Sequence, residues 1–479
     1  MNLLGELLLG PGRARPDAAV VTDQFGVVFT NAELAARSAQ YANVLVALGV
    51  QPGDRVAVQI GKSFDLVALH VGAIRAGAVY LPLNASYTER EVSDLMDDAE
   101  PALLVRDEPL AHAVSRRSSG ELATLADAAA VAFDDVERGA DDGAAILYTS
   151  GTTGRPKGAM LSHGNLAASA RSLVEAWHFT TDDVLLHILP LFHIHGLFVA
   201  LYCTLASGSS LIFIDRFDAR RIAETLPRAT VLMGVPTHYT RLLDEPAFTR
   251  ECTRNIRLFT SGSAPMLVPT HDAFRERTGQ TILERYGMTE TGMLASNPYE
   301  GARKPGFVGP PLPGVEIRIA GDSGTGGIQV RGANVFSGYW KRPELRATEF
   351  TEDGWFETGD LGHFDEDGYL EIVGRSKDLI ITGGLNVYPK ELEMVIDEFA
   401  GVAESAVIGV PDPDFGEAVV AVVVAEPGAT LEADALRALA REKLAGFKVP
   451  KRFHIVDALP RNTMGKVEKA RLRSQFSGA

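Results

Sequence analysis

The most informative segment of the sequence is Tyr148-Thr-Ser-Gly-Thr-Thr-Gly-Arg-Pro-Lys-Gly158, which follows a short apolar run at residues 144–147. Its three glycines allow a ligand to approach the backbone closely, and its hydroxyl groups supply hydrogen-bond donors. Lys157 adds a positive charge. A glycine-rich loop of this kind after a strand is typical of a phosphate cradle. It differs from a Walker A loop because a glycine, rather than a serine or threonine, follows the lysine.

The sequence before this segment alternates between helical and strand patterns. Thr30-Asn-Ala-Glu33 is a capping box that predicts the start of a helix, and Gly49 predicts its end. A strand at residues 55–60, a helix at 64–75 and a strand at 79–83 are predicted next. This alternation predicts an α/β fold with layers around a largely parallel sheet.

The composition changes after residue 300. Residues 301–338 contain many glycines and prolines between short β-like runs, which predicts a small antiparallel β unit. Strand and helix patterns alternate again after residue 389, as expected for a small α+β domain. We therefore expect a large N-terminal domain at residues 1–375, which includes the β unit, and a smaller, mobile C-terminal domain at residues 376–479.

The charge balance limits the classes of partner. The 479 residues include 46 Lys and Arg against 62 Asp and Glu, a net charge of −16. Such an acidic surface argues against general binding to nucleic acid or to anionic membranes. We therefore expect small-molecule substrates, with a local basic pocket if the ligand is an anion.

Cysteine usage and the N-terminus bear on localisation. Cys203 and Cys252 form no CxxC pair, which favours free thiols in a reducing compartment. The N-terminus has no basic leader, so we expect no signal peptide and a cytoplasmic protein.

One stretch, residues 184–214, has no Asp, Glu, Lys or Arg. It contains Pro190 and three histidines, which are unusual in a membrane span of about 20 apolar residues. We interpret this stretch as buried core interrupted by a polar loop, with a membrane span as the lesser alternative.

Six blocks resemble, in order, the signature motifs of the adenylate-forming superfamily, which includes acyl-CoA synthetases, peptide-synthetase adenylation domains and beetle luciferases. Besides the segment at 148–158, they are Pro190-Leu-Phe-His193, Tyr286-Gly-Met-Thr-Glu290, Thr358-Gly-Asp360, Gly374-Arg-Ser-Lys-Asp378 and Pro460-Arg-Asn-Thr-Met-Gly-Lys466. The resemblance covers essentially the whole chain. It implies an AMP-forming acid–thiol ligase, in which a carboxylate attacks the α-phosphorus of ATP and releases pyrophosphate. A thiol, usually that of CoA, then displaces AMP from the acyl-adenylate.

The resemblance implies a role for each matching residue. Thr289 would contact the α-phosphate, Glu290 would ligate Mg²⁺, and Lys466 would bridge the carboxylate and the α-phosphate during adenylation. The remaining ATP contacts on the first motif and the Tyr286 block would come from Thr149, Ser150, Gly151, Thr152, Thr153, Gly154, Lys157 and Tyr286.

The resemblance also implies roles for residues in the second half of the chain. Asp360 would accept hydrogen bonds from the ribose hydroxyls, and Arg375 would assist it. Lys377 falls at the hinge about which the small domain rotates. Gly383 and Gly384 would admit the pantetheine arm of CoA.

The acyl substrate is indicated by Arg285, which directly precedes the Tyr286 block. A buried guanidinium is costly to desolvate unless it meets an anion, and it can bind a carboxylate through two hydrogen bonds. Arg241 is a second candidate, and the resemblance adds His193 and Ser261 to the acyl site. These residues predict a short dicarboxylate, unless both arginines pair with internal acids. The surrounding blocks resemble malonyl-CoA synthetases, which convert malonate, ATP and CoA to malonyl-CoA, AMP and diphosphate.

Several alternatives remain at this point. The acid could be methylmalonate or another short carboxylic acid, because one methyl group changes binding by only about 1–3 kcal/mol. The chain could instead load a separate carrier protein, or bind nucleotide as a non-catalytic sensor. His193 and His195 could also present two imidazoles to zinc from one strand. The sequence does not indicate the oligomeric state.

Overall fold

The computed structural model describes residues 1–149, 156–321, 324–383, 385–462 and 465–477. The chain forms two compact units. The first unit comprises Met1–Ile317 and Val330–Phe356, and the second comprises Arg318–Gln329 and Glu357–Ala479.

Helices and strands alternate through the first unit. Its strands are β1 (Ala19–Thr22), β2 (Val28–Thr30), β3 (Arg55–Gln59), β4 (Val79–Pro82), β5 (Leu103–Arg106), β6 (Arg116–Arg117), β7 (Gly143–Thr149), β8 (Lys157–Ser162), β9 (Val184–His187), β10 (Ser210–Phe213), β11 (Val231–Gly234), β12 (Leu258–Ser261), β13 (Leu283–Met288), β14 (Gly292–Ser296) and β15 (Phe307–Gly309). Its helices are α1 (Leu3–Arg13), α2 (Asn31–Ala47), α3 (Phe64–Arg75), α4 (Glu89–Ala99), α5 (Ser119–Asp127), α6 (His163–Ala176), α7 (Tyr202–Ser207), α8 (Ala219–Thr225), α9 (Pro236–Leu243), α10 (Val268–Thr278) and α11 (Arg346–Glu349).

Two sheets organise this unit. One has the strand order β6-β5-β3-β4-β7-β8, and the other has the order β14-β13-β12-β11-β9-β10-β1-β2. Neighbouring strands run parallel except at the β7–β8, β13–β14 and β1–β2 pairs. The prediction of α/β layers around a largely parallel sheet is confirmed.

Local sequence signals set the bounds of the early elements. Thr30 and Glu33 form the predicted reciprocal capping box at the start of α2. Gly49 follows α2 with φ +93°, a left-handed conformation that favours glycine. α3 has the predicted bounds, and β3 and β4 each end one residue earlier than predicted.

The uncharged stretch forms core elements of the first unit. It contains β9, a π-helical turn at His195–Leu201, α7 and β10. Its leucines and phenylalanines are almost all buried. None of the described helices is long and apolar enough to cross a membrane. The interpretation as buried core around a polar loop is confirmed.

The second unit contains the later strands and helices. Its strands are β16 (Val315–Ala320), β17 (Gly326–Gly332), β18 (Phe356–Phe364), β19 (Leu370–Arg375), β20 (Ile380–Thr382), β21 (Leu385–Val387), β22 (Val402–Asp412), β23 (Gly416–Ala425) and β24 (Arg452–Val456), of which β16, β17 and β18 extend into the first unit. Its helices are α12 (Pro389–Asp397), α13 (Ala433–Lys443) and α14 (Lys469–Phe476). Strands β19, β18, β17 and β16 are neighbours in one sheet, and a second sheet has the order β21-β20-β23-β22 with β24 on β23.

The division between the units differs from the boundary expected at residues 375 and 376. Strands β18 and β19 form a hairpin through the turn at residues 365–368, with Asp360 opposite Arg375. Ser376 Oγ also donates a hydrogen bond to the carbonyl oxygen of Gly359, at 3.0 Å. Residues 357–375 therefore group with the chain that follows them, and so does part of the predicted β unit.

Candidate active site

Strands β7 and β8 enclose the predicted phosphate loop. They pair antiparallel, so Thr149 at the end of β7 faces Lys157 at the start of β8. The other phosphate-loop residues predicted to bind ATP lie outside the described residues; they are Ser150, Gly151, Thr152, Thr153 and Gly154.

The structure brings three predicted site residues together around Tyr339. Lys157 Nζ lies 2.8 Å from Glu349 Oε1 and 5.1 Å from the centre of the Tyr339 ring. The Tyr339 hydroxyl donates to Glu290 Oε1 at 3.1 Å, and Thr149 Oγ1 donates to the same oxygen at 3.4 Å. Burial and the two carboxylates raise the pKa of Tyr339, so its hydroxyl remains a donor. Tyr339 and Glu349 were not predicted, because neither lies in one of the six blocks.

Glu290 is a suitable ligand for Mg²⁺. Its carboxylate is only 5 % exposed and lies between two hydroxyl groups. Hard oxygen donors of this kind are those that Mg²⁺ prefers, and the ion usually binds through one or two carboxylates together with substrate phosphates.

We expect Glu349→Gln to lower the KM for ATP about three- to tenfold. Glu349 is the carboxylate that neutralises Lys157, and a nucleotide phosphate would have to replace it. The neutral amide competes less for Lys157 and repels the phosphates less. Steady-state kinetics with ATP varied would measure this effect, and the exposed Glu344→Gln on the preceding turn is the matched control. An increase in KM would mean that Glu349 orients Lys157 for the nucleotide.

A second cluster fixes the start of the phosphate loop. The Tyr148 hydroxyl donates to Asp98 Oδ2 at 2.6 Å, and Arg342 Nη2 lies 2.8 Å from Asp98 Oδ1. Trp340 Nε1 donates to the carbonyl oxygen of Asp98 at 3.1 Å. These contacts join α4 to the end of β7 and to the segment at residues 340–342. No local signal in the acidic helix α4 distinguishes Asp98 from its neighbours.

The Tyr286 block forms the tight turn between β13 and β14. A Cβ atom at Gly287 would lie 2.2 Å from the carbonyl oxygen of Gly292, so no side chain fits there. Tyr286 is buried on β13, and Thr289 is partly buried in the turn beside Glu290. The glycine therefore allows the turn that presents Thr289 and Glu290 at the strand end.

Arg285 is buried, as are several polar atoms that have no partner among the described residues. Its side chain is 3 % exposed, and Nε and Nη2 have no hydrogen-bond partner among the described residues. Ser261 Oγ and both ring nitrogens of His195 are likewise buried without a partner there. Burial lowers the pKa of Arg285 to about 10, which still leaves it charged at neutral pH. Burial and the charge of Arg285 lower the pKa of His195, so its imidazole is neutral.

The acid next to Arg285 is paired elsewhere. Glu284 Oε1 lies 2.7 Å from His271 Nε2 and accepts from the backbone N–H of Gly306 at 2.9 Å. Among the described residues, therefore, no acidic side chain forms an ion pair with Arg285. The sequence did not reveal Gly262, where a Cβ atom would lie 2.5 Å from Arg285 Cζ. Glycine at this position makes room for the guanidinium.

Arg241 lies in a different environment. It is exposed on α9, with its guanidinium 5.7 Å from the centre of the Phe217 ring. The Phe217 ring in turn stacks on His238 at 4.8 Å. The charge of Arg241 is therefore much better hydrated than that of Arg285.

The two histidines considered for zinc do not lie on a strand, although the zinc alternative required one. His193 is in a bend, His195 starts the π-helical turn, and the backbone N–H of His195 donates to His193 Nδ1 at 3.4 Å. Within the part of the chain that the structure describes, no three His, Cys, Asp or Glu side chains cluster as a metal site. Pro190 and Gly196, at the two ends of this segment, favour an irregular loop over a strand.

The predicted ribose-binding residues are adjacent in the second unit. Arg375 Nε lies 2.9 Å from Asp360 Oδ1, across the β18–β19 hairpin. Thr358 Oγ1 accepts from the backbone N–H of Asp360 at 3.1 Å and donates to the carbonyl oxygen of Ile328 at 2.8 Å. The Asp360 carboxylate is 4 % exposed and is held in place by these contacts.

Lys466 is an exposed residue on a short hairpin of the second unit. Its backbone N–H donates to Asn462 Oδ1 at 3.0 Å, and its carbonyl oxygen accepts from the backbone N–H of Asn462 at 2.9 Å. Arg461 Nη1 donates to the carbonyl oxygen of Gly465 at 2.5 Å, and Arg461 also pairs with Glu404 on β22. The backbone that carries Lys466 is thus anchored to strand β22 of the second unit.

We expect Arg461→Met to slow adenylation about tenfold, mainly through kcat. The change removes the ion pair that joins the hairpin to β22 and a hydrogen bond within the hairpin, and a catalytic group that is less well positioned loses rate. Acid-dependent pyrophosphate release would measure this effect. The matched control is Arg437→Met, which breaks a surface pair with Asp434 on α13. Equal rates for the two variants would show that the anchor has no catalytic effect.

Two further residues predicted in the second unit, Lys377 and Gly383, lie on either side of β20 in the sequence. Lys377 is in the helical turn Ser376–Asp378, which directly precedes β20. Gly383 follows β20 with φ +57°, a backbone conformation that favours glycine. Gly384 lies outside the described residues.

Comparison with known proteins gives consistent matches over the whole chain. Residues 11–340 match the AMP-binding enzyme family, and residues 391–466 match the AMP-binding enzyme C-terminal domain. A solved structure of ATP-bound MatB from Rhodopseudomonas palustris is 50 % identical and superposes with a TM-score of 0.95, covering 100 % of this chain and 99 % of that one. A malonate–CoA ligase from Arabidopsis thaliana is 38 % identical over 89 % of this chain and 79 % of its own length. A feruloyl-CoA synthase from Amycolatopsis sp is 37 % identical over 99 % of both chains.

Proposed function

The chain belongs to the AMP-binding enzyme family, and from this premise we propose that it is an AMP-forming malonyl-CoA synthetase. The reaction joins malonate to CoA with the conversion of ATP to AMP and diphosphate, through a malonyl-adenylate. The observation that carries the choice of acid is the buried guanidinium of Arg285, whose Nε and Nη2 have no hydrogen-bond partner among the described residues. The malonate–CoA ligase relative supports the same choice.

The energetics of Arg285 favour a second carboxylate on the substrate. A charge buried without a partner costs several kcal/mol, and a bound anion with good hydrogen bonds can offset this cost. A carboxylate in this pocket can accept from Arg285 Nε and Nη2, from Ser261 Oγ and from the neutral imidazole of His195. This donor set matches the acceptor-only chemistry of a carboxylate.

Overall similarity does not by itself identify the acid, because the feruloyl-CoA synthase is about as similar as the plant malonate–CoA ligase. Ferulate has no second carboxylate and would leave Arg285 unpaired. Methylmalonate retains both carboxylates and differs by one methyl group, so we expect it to be a poorer but real substrate. Loading of a separate carrier protein uses the same adenylation step and is the second candidate function.

We propose the following roles for the first unit. Lys157 and Thr149 bind the β- and γ-phosphates together with the rest of the loop at residues 150–154. Thr289 contacts the α-phosphate, and Tyr286 lies beside the adenylate. Glu290 would hold Mg²⁺, which when bound neutralises charge on the phosphates. His193 and Arg241 complete the acyl site.

The second unit supplies the remaining functional groups in this proposal. Asp360 binds the ribose hydroxyls with the help of Arg375. Lys466 stabilises the negative charge that develops as the carboxylate attacks the α-phosphorus. Lys377 is the hinge residue, and Gly383 with Gly384 admits the thiol arm of CoA. The two free thiols, Cys203 and Cys252, fit a cytoplasmic enzyme.

Pyrophosphate release with ATP and Mg²⁺ tests this function. Malonate, methylmalonate, succinate, acetate and octanoate would be compared, each with and without CoA, together with direct detection of the thioester. We expect the highest kcat/KM with malonate and CoA-dependent formation of malonyl-CoA. Preference for acetate or octanoate would contradict the role of Arg285, and adenylation without thioester formation would favour a carrier protein as acceptor.

A further inference from the structure

Lys62 is a charged residue beside the acyl pocket that none of the six sequence blocks contains. It is partly buried, between β3 and α3, immediately before the N-cap residue Ser63. Its ammonium group donates to the carbonyl oxygens of Ile214, at 2.8 Å, and His187, at 3.2 Å. Nζ also lies 3.4 Å from His187 Nδ1. From its position between β3 and α3, Lys62 therefore binds the carboxyl ends of β9 and β10.

The contact with Lys62 fixes the tautomer of His187. An ammonium group can only donate, so His187 Nδ1 must accept and the ring proton must be on Nε2. His187 Nε2 lies 2.9 Å from the carbonyl oxygen of Gly196, to which it donates. Burial and the charge of Lys62 lower the pKa of His187 to about 3, so the ring is neutral and keeps this arrangement.

Gly196 closes the histidine loop, defined here as residues 190–196, which carries His193 and His195. A Cβ atom at Gly196 would lie 2.0 Å from the carbonyl oxygen of Pro190, so the two ends of the loop touch. A hydrogen-bonded chain thus runs from Lys62 through His187 to the loop that lines the pocket of Arg285. Through these contacts Lys62 and His187 help to fix the position of the loop that carries His195.

The charge of Lys62 is balanced by burial on one side and by one acid on the other. Asp215 is the acid that favours its ammonium form, while burial opposes it. Burial, Arg241 and Lys62 together lower the pKa of His238 to about 4, so this ring is neutral as well. The positive charge of Lys62 therefore reaches the imidazoles next to the pocket, where it adds to that of Arg285.

We propose that Lys62 is a positioning residue of the acyl pocket, which holds the histidine loop through His187 and biases the pocket toward acids with a second negative charge. This inference rests on the proposed function, since it assumes that the second carboxylate binds at Arg285. Lys62 acts through His187 and through its charge, and does not itself touch the substrate.

The test compares malonate with propionate, in which a methyl group replaces the second carboxylate. Lys62→Gln retains an N–H donor for the backbone carbonyls but removes the charge. We expect kcat/KM for malonate to fall about tenfold relative to propionate, mainly through KM, with the KM for ATP unchanged. The matched control is Lys443→Gln. Lys443 is the last residue of α13 and forms a surface pair with Glu398. An equal fall for both acids, or no fall, would overturn the inference.

A pH series on the unmodified enzyme provides a second test that requires no variant to fold. Burial lowers the pKa of Lys62 to about 7, so its charge is present below this pH and is lost as the pH rises through it. We expect the malonate-to-propionate ratio of kcat/KM to fall as the pH rises from 6 to 8.5. Ionisation of malonate acts in the opposite direction, and groups common to both reactions cancel in the ratio. A flat ratio would contradict the role of Lys62.

The variant separates Lys62 from other titrating groups. Any dependence that arises from another group would persist in Lys62→Gln, whereas the dependence on Lys62 would disappear. If the unmodified enzyme preferred propionate, the proposed function itself would fail. If it preferred malonate and Lys62→Gln kept the same ratio and pH profile, only the inference about Lys62 would fail.

Discussion

Replacement of Lys466 by alanine is expected to reduce malonate-dependent pyrophosphate release about 100- to 1,000-fold. The loss of one group that stabilises developing charge in the transition state has an effect of this size. The side chain is exposed on a hairpin whose backbone is held by Asn462 and Arg461. The thermal midpoint should therefore change by no more than about 1 °C, because surface substitutions away from structural features have little effect on stability.

Two controls make this result specific to adenylation. Lys443→Ala removes a similar exposed lysine from α13 of the same unit and should leave the rate unchanged. Malonyl-adenylate supplied directly should still react with CoA in Lys466→Ala, because the lysine acts before the adenylate exists. Full pyrophosphate release in Lys466→Ala would remove Lys466 from the proposed mechanism.

Arg285→Met is expected to lower kcat/KM for malonate about 100- to 1,000-fold, with little change for propionate. Truncation of one partner of a desolvated charge pair costs roughly 2–5 kcal/mol, and each 1.4 kcal/mol corresponds to a factor of ten. Methionine fills a similar volume without a charge. Because Arg285 Nε and Nη2 have no partner among the described residues, we expect the free variant to be at least as stable as the original.

The stability measurement distinguishes a binding role from a structural one. Loss of a structural ion pair would lower the thermal midpoint and impair every substrate, whereas loss of a substrate contact would impair malonate alone. Arg241→Met is the matched control, and we expect less than a tenfold effect because an exposed charge contributes little. A larger effect of Arg241→Met than of Arg285→Met would assign the second carboxylate to Arg241.

Local patterns predicted the elements whose bounds depend on neighbouring residues. The capping box at Thr30, the glycine after α2 and the helix at Phe64–Arg75 all follow from contacts within a few positions. The division between the two units depended on the pairing of β18 with β19. The sequence around residue 375 did not reveal this pairing.

The sequence by itself determined the class of chemistry, the order of the motif blocks and the presence of an arginine directly before the Tyr286 block. It could do so because a phosphate loop and a tight turn need particular residue types at fixed spacing. Only the tertiary structure decided which charges meet. Asp98 and Arg342 pair across 244 positions, Lys157 and Glu349 across 192, and Lys62 reaches His187 across 125. The burial of Arg285 without an acid is likewise a property of packing, because desolvation depends on all the segments that surround a side chain.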